Sequence, residues 1–179
     1  SAFYQKTLLK SIVIPYGVQL IDSYAFQQCS KIQSIVIPNS VTALGTLAFR
    51  NCVSATSLTI GNRVKSIGQQ SFRDCSKIPS ITIPNSVTAL GSQAFQNCES
   101  ATSLTIGSNV QLIDSSAFMY CYKIESIVIP DSVKTIGVSA FYQKTLLKSI
   151  VIPYGVSLID DNAFYGCSKL QSIVIPNSV

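Results

Sequence analysis

A chain of 179 residues is long enough for one domain, yet only 12% of it is charged, about half of the ~25% usual in soluble proteins. It has no histidine and no tryptophan, which excludes imidazole general-base catalysis, histidine metal sites and serine–histidine triads. The net charge of +5 is scattered along the chain, without the local density that a nucleic-acid surface needs, and no apolar run approaches the ~18–20 residues of a membrane span.

Self-similarity dominates the chain. All eight phenylalanines, Phe3, Phe26, Phe49, Phe72, Phe95, Phe118, Phe141 and Phe164, stand 23 residues apart. All six cysteines, Cys29, Cys52, Cys75, Cys98, Cys121 and Cys167, sit three residues after one of them. In the remaining two repeats the cysteine position holds Lys6 and Lys144.

In chain order, the second repeat shows the elements most plainly. Ile35 and Ile37 alternate with polar or β-branched neighbours, which predicts a short strand over Ser34–Ile37. Pro38 ends it, because proline cannot donate to a ladder, and Asn39-Ser40 supplies turn chemistry. Val41 and Leu44 mark a second short inward segment. Ala48-Phe49-x-x-Cys52 then has the three-residue spacing of one helical or 3₁₀ turn. Gly61 and Gly107 take the proline position in two later repeats, consistent with a turn there.

Each repeat presents about eight inward side chains and cannot bury them alone; stacking repeat on repeat buries a continuous apolar column. Strands of adjacent coils then pair in parallel at ~4.7–4.9 Å. The expected architecture is α/β, mainly β: a right-handed solenoid of about eight 23-residue coils with a parallel sheet on its inner face. Residues 1–179 form a single domain in this reading. Phe26, Phe49, Phe72, Phe95, Phe118, Phe141 and Phe164, with the cysteines, make its core ladder. Residues 1–41 match residues 139–179 at 35 of 41 positions. That duplication, with no polar capping repeat visible, leads to the expectation that the array continues beyond both ends.

The pattern Ile35-x-Ile37-Pro38, Val41-x-x-Leu44-Gly45 and Ala48-Phe49-x-x-Cys52, recurring in phase over the whole chain, resembles the BspA-type leucine-rich repeat. The resemblance implies a leucine-rich-repeat superhelix and an extracellular or cell-surface location. It also implies adhesion to host matrix proteins, cell-surface proteins or other cells. It brings no catalytic residue, and no cofactor or metal is expected.

Four features compete as sites. The cysteine column lacks the close pairs of a zinc site and reads as packing. At Lys6 and Lys144 the expectation is that the turn re-forms so that the stem covers apolar surface and the amine reaches water. The outward strand row Val13, Val36, Thr59, Thr82, Thr105, Val128, Val151 and Val174 is small, regular and uncharged, and suits a flat or extended protein partner. Tyr120, Tyr122, Tyr142 and Tyr165 fall in three consecutive coils and are the preferred protein contact, since an aromatic ring with a polar tip suits interfaces. The acidic residues are too dispersed for acid–base catalysis. Near-identical coils, low charge and uncapped ends also lead to a second expectation, head-to-tail self-association into filaments or a surface layer.

Overall fold

The computed structural model describes residues 2–179. The chain is a mainly β parallel solenoid in which every strand pairs with the strand 23 residues away, as in Ile35 with Leu58 and Leu44 with Ile67. Its core is a single column of buried side chains running the length of the stack.

Two strand types alternate along the chain. Three-residue strands, such as Ser34–Val36, Ser80–Thr82 and Ser149–Val151, bury the central residue while both neighbours face water. Two-residue strands follow the turn at each proline, or at Gly61 and Gly107 where glycine replaces it: Leu20–Ile21, Ala43–Leu44, Ser66–Ile67, Ala89–Leu90, Leu112–Ile113, Thr135–Ile136 and Leu158–Ile159. These seven form one continuous parallel sheet, so seven coils carry the sheet. The first of the eight expected repeats contributes no strand at residues 11–13.

The continuous sheet therefore runs through the segment after the proline, whereas the sequence placed it at Ser34–Ile37. The three-residue strands pair only in twos: Ser34–Val36 with Ser57–Thr59, Ser80–Thr82 with Ser103–Thr105, and Ser149–Val151 with Ser172–Val174. One break has a covalent cause. Thr56 donates its N–H to Gln33 and Thr102 to Pro79, but Pro79 has no N–H to give to Thr56.

The Ala-Phe segment is a third ladder, and it is not a helical turn. Residues flanking it in each coil have left-handed backbone: Leu47 and Asn51 at φ 61° and 62°, Gln93 and Asn97 at 58° and 61°, Ser116 and Tyr120 at 57° and 61°. Alternating handedness points every second N–H the same way, along the stack. Leu47, Phe49 and Asn51 thus donate to Gln69, Ser71 and Arg73 of the next coil. A helix would have spent those N–H groups within the turn.

Inside this ladder the phenyl rings stack in one file. Consecutive ring centroids lie 5.1–5.8 Å apart with interplanar angles of 2–13°. Phe49, Phe72, Phe95, Phe118 and Phe141 are completely buried, Phe26 nearly so, and Phe164 half-buried. The first ring, Phe3, is 46% exposed.

Candidate protein-contact surfaces

The cysteine column is a hydrogen-bonded ladder. Each thiol donates to the phenylalanine carbonyl of the coil before: Cys29 to Phe3 at 3.1 Å, Cys52 to Phe26 at 3.4 Å, Cys75 to Phe49 at 3.2 Å. Cys98, Cys121 and Cys167 repeat this toward Phe72, Phe95 and Phe141 at 3.5, 3.2 and 3.5 Å. All six are free, and all but the half-buried Cys167 are buried. Burial pushes the Cys29 and Cys167 thiols up. At Cys52 the neighbouring Cys75 thiol, with burial, does the same. Cys29, Cys52 and Cys167, held protonated in hydrogen-bonded packing, are not nucleophiles.

Lys144 departs from expectation. Its side chain is fully buried, and its ammonium does not reach water. It donates instead to the carbonyl of Phe118, the bond a thiol makes in the neighbouring coils, and to Tyr142 O at 3.3 Å. Two carbonyl acceptors permit the burial, because an ammonium without hydrogen bonds is far costlier in a core. Burial nonetheless holds its pKa below the ordinary lysine value. Lys6, in the first coil, is exposed.

The four tyrosines expected to make contact come together. Tyr120 and Tyr122 bracket the inward Cys121, so both rings lie on the opposite side of the turn and 5.7 Å apart. Tyr142 meets Tyr120 edge-on at 5.5 Å and stacks on Tyr165 at 5.1 Å. Tyr165 is 58% exposed and the other three are half-buried. The result is one aromatic file across three coils, its rings supported from below by their own turn. The same flank carries Arg50 and Arg73, each 3.5 Å from Asp74.

The strand row is solvent-facing throughout. Thr59, Thr82 and Thr105 are exposed, as are Val13, Val36, Val128, Val151 and Val174. Where the three-residue ladder lapses at residues 126–128, a groove of about 1050 Å³ opens over the last three coils, with Val128, Val151, Val174 and Tyr154 among its walls. The tyrosine file and this row stand on different segments of each coil and are separate surfaces.

The carboxylates stay local. Asp22, Asp114 and Asp160 each accept the N–H of the next residue, at 2.7, 2.6 and 2.8 Å. Among the described residues no three His, Cys, Asp or Glu converge on a metal-sized site, and no helix is long and apolar enough to cross a membrane. Sequence reasoning missed the thiol–carbonyl ladder. The signal was present in the invariant three-residue Phe–Cys spacing, but the register of the acceptor is set only by stacking.

Solved structures similar to this chain include several bacterial leucine-rich repeat proteins. A leucine-rich repeat protein from Bacteroides ovatus is 32% identical, with a TM-score of 0.86 over 94% of this chain and 46% of its own. A leucine-rich cell surface protein from Faecalibacterium prausnitzii is 36% identical, with a TM-score of 0.84 over 92% of this chain and 47% of its own. The chain thus spans about half the length of either. The leucine-rich repeat protein of T. pallidum, 22% identical with a TM-score of 0.82, shares the fold over 91% of this chain and 78% of its own. No curated protein matches. The model of the BspA-type leucine-rich repeat region matches residues 1–125 and 75–179 in six copies, and with the 23-residue stack described above this makes the chain a member of the BspA-type leucine-rich repeat family.

Proposed function

We propose that the chain is a non-enzymatic, extracellular or cell-surface protein-interaction module that adheres to matrix proteins or to other cells. The observation that carries this reading is the contiguous file Tyr122–Tyr120–Tyr142–Tyr165. Tyrosine buries large area with few rotors to freeze and is enriched where binding energy concentrates. Arg50 and Arg73 extend the flank with a second residue type of that kind. The Faecalibacterium relative is described as a cell surface protein, which supports the location.

The uncharged row from Val13 to Val174 adds an extended secondary surface in this account. Many shallow equivalent contacts gain strength from avidity. The test is binding of the purified chain to adsorbed matrix proteins and to whole bacterial and host cells. Replacing Tyr120, Tyr142 and Tyr165 together by serine should reduce binding at least about tenfold, the effect of losing one or two hot-spot rings. Unchanged binding in that variant, with loss in a Val128→Lys, Val151→Lys variant, would move the site to the strand face.

A second reading, self-association, is favoured by the exposed valines Val36, Val128 and Val151 along the strand row, 52–78% exposed, and by the low charge of the near-identical coils. Apolar side chains exposed along one face favour association through that face.

A further inference from the structure

Residues 29–61 and 75–107, two coils apart, are identical at 27 of 33 positions. The chain thus repeats in pairs of coils as well as in single ones, and its strand face follows the longer period. In the second coil of each pair Ala55 and Ala101 stand where the first has Ile32 and Ile78, and Gly61 and Gly107 replace Pro38 and Pro84. These glycines let the second coil settle tightly on the first. A Cβ at Gly61 would lie 2.6 Å from Pro38 O, and one at Gly107 would meet Pro84 O in the same way, so a side chain there needs a backbone shift. The first coil grips back through Asn39 and Asn85, whose Oδ1 atoms accept the N–H groups of Asn62 and Ser108, both at 2.9 Å.

Between the pairs the strand face is open. Ser57–Thr59 and Ser80–Thr82 form no ladder. Within the pairs Ile37 and Ile83 donate their N–H groups to Thr59 and Thr105 at 2.8 and 2.9 Å, whereas Ile60 and Ile106 donate to no backbone carbonyl. Both ladders also begin with a bond from the second coil to the first, Thr56 to Gln33 at 2.8 Å and Thr102 to Pro79 at 2.9 Å. Pro79 has no N–H with which to make that bond to Thr56. The gap shows in the packing. Leu58 and Ile60 are half-buried, while Ile35, Ile37, Ile81 and Ile83 retain at most 1% exposure.

The other faces carry straight across this junction. Ile67 pairs with Leu90 in the continuous sheet. Phe72 donates its N–H to Ala94 at 2.8 Å, and its ring stacks on Phe95 at 5.1 Å. Side chains clasp the phenylalanine flank: Asn97 Nδ2 donates to Asp74 Oδ1 at 2.6 Å, and Gln70 donates to Gln93.

We infer that the junction is a flexible joint: residues 30–75 and 76–121 move as rigid coil pairs, and the strand face opens and closes between Thr59 and Thr82 about the clasped phenylalanine flank. The motion changes the spacing of the outward row between those threonines and leaves the tyrosine file undisturbed. The joint is a property of the fold and stands whether or not the chain adheres to a partner.

Amide exchange and ¹⁵N relaxation dispersion of the whole chain test it residue by residue. Ile60 and Ile83 each follow a threonine, so their intrinsic exchange rates match. Ile60 should exchange at least about tenfold faster than Ile83, and microsecond-to-millisecond dispersion should centre on residues 57–60 and 80–82. Pro79 is exposed, so Pro79→Thr restores the missing N–H without touching the core. It should slow Ile60 exchange at least about tenfold and flatten the dispersion. Thr56→Pro, also at an exposed position, should open a second joint inside the first pair and speed Ile37 exchange. Equal protection of Ile60 and Ile83, or flat dispersion over residues 57–60 and 80–82, would overturn the joint. Exchange and dispersion unchanged in Pro79→Thr would overturn the role given to the proline.

Discussion

Lys144 donates to the carbonyl of Phe118 from the column position that cysteine holds in the coils on either side, Cys121 below and Cys167 above. The turn is thus defined by a donor aimed at the preceding phenylalanine carbonyl, and thiol and ammonium satisfy it in turn. The ammonium does so at a cost, since burial of a charge is incompletely offset by two carbonyls.

Lys144→Cys should therefore raise stability, by about 1–3 kcal/mol at neutral pH, measured by chemical denaturation. The pH dependence has a definite sign. Folding lowers the lysine pKa, so the unfolded chain holds this proton more tightly and stability rises with pH wherever the two states differ in protonation. The penalty is constant below the depressed folded value and shrinks as pH climbs from there to the ordinary 10.5. The gap between the variant and the native chain should narrow over that window.

Thiol reactivity should follow position in the stack. Cys52, Cys75, Cys98 and Cys121 are completely buried and hydrogen-bonded, and Cys167 is half-buried. In the folded chain an aromatic disulfide reagent should modify Cys167 first, while those four react only at the rate of unfolding. Mass spectrometry of the partly labelled chain reads this directly. Equal labelling of all six would contradict the ladder.

Left-handed backbone at non-glycine positions is built into every turn, and Ser116 at φ 57° is a case whose side chain makes no hydrogen bond. Ser116→Gly should leave stability equal or raise it by up to about 1 kcal/mol, and Ser116→Val should lower it by about 1–2 kcal/mol. Thermal unfolding of the pair checks it. A valine variant as stable as glycine would mean that the turn is not left-handed there.

Phe95 lies in the middle of the ring file, with centroids of Phe72 and Phe118 at 5.1 and 5.8 Å. Phe95→Ala should cost about 3–5 kcal/mol through the cavity it opens. An unfolding midpoint close to that of the native chain would remove the file from the core.

Much of this was legible in the residues. The 23-residue spacing of phenylalanine and cysteine dictates stacked coils, and Ile35-x-Ile37 dictates an outward Val36 beside inward isoleucines. Three things were not legible. The turn around Phe49 read as helical because i, i+3 spacing suits a helix as well as two left-handed residues that bracket an inward pair. Leu47, Asn51, Ser116 and Tyr120 share no residue type that announces φ > 0. The fate of Lys144 was hidden because burial depends on the coil beneath; the same segment beginning the chain leaves Lys6 exposed. The longer sheet lay in two-residue strands too short for period-2 alternation to show. The tyrosine cluster was half legible: sequence put the rings in consecutive coils, and stacking decided that Tyr120 meets both Tyr122 and Tyr142.

The central claim is that position in the stack, and not local sequence, decides how each coil is held. Ile14 and Ile152 occupy identical segments, but only Ile152 donates its N–H to the coil above, to Val174 at 3.0 Å. Residue-resolved amide exchange by nuclear magnetic resonance compares them directly, because matched neighbours give them equal intrinsic rates. Ile152 should exchange at least about a hundredfold more slowly than Ile14, as expected between a hydrogen-bonded amide in a packed strand and an amide without that bond. Equal protection of the two amides would contradict the account.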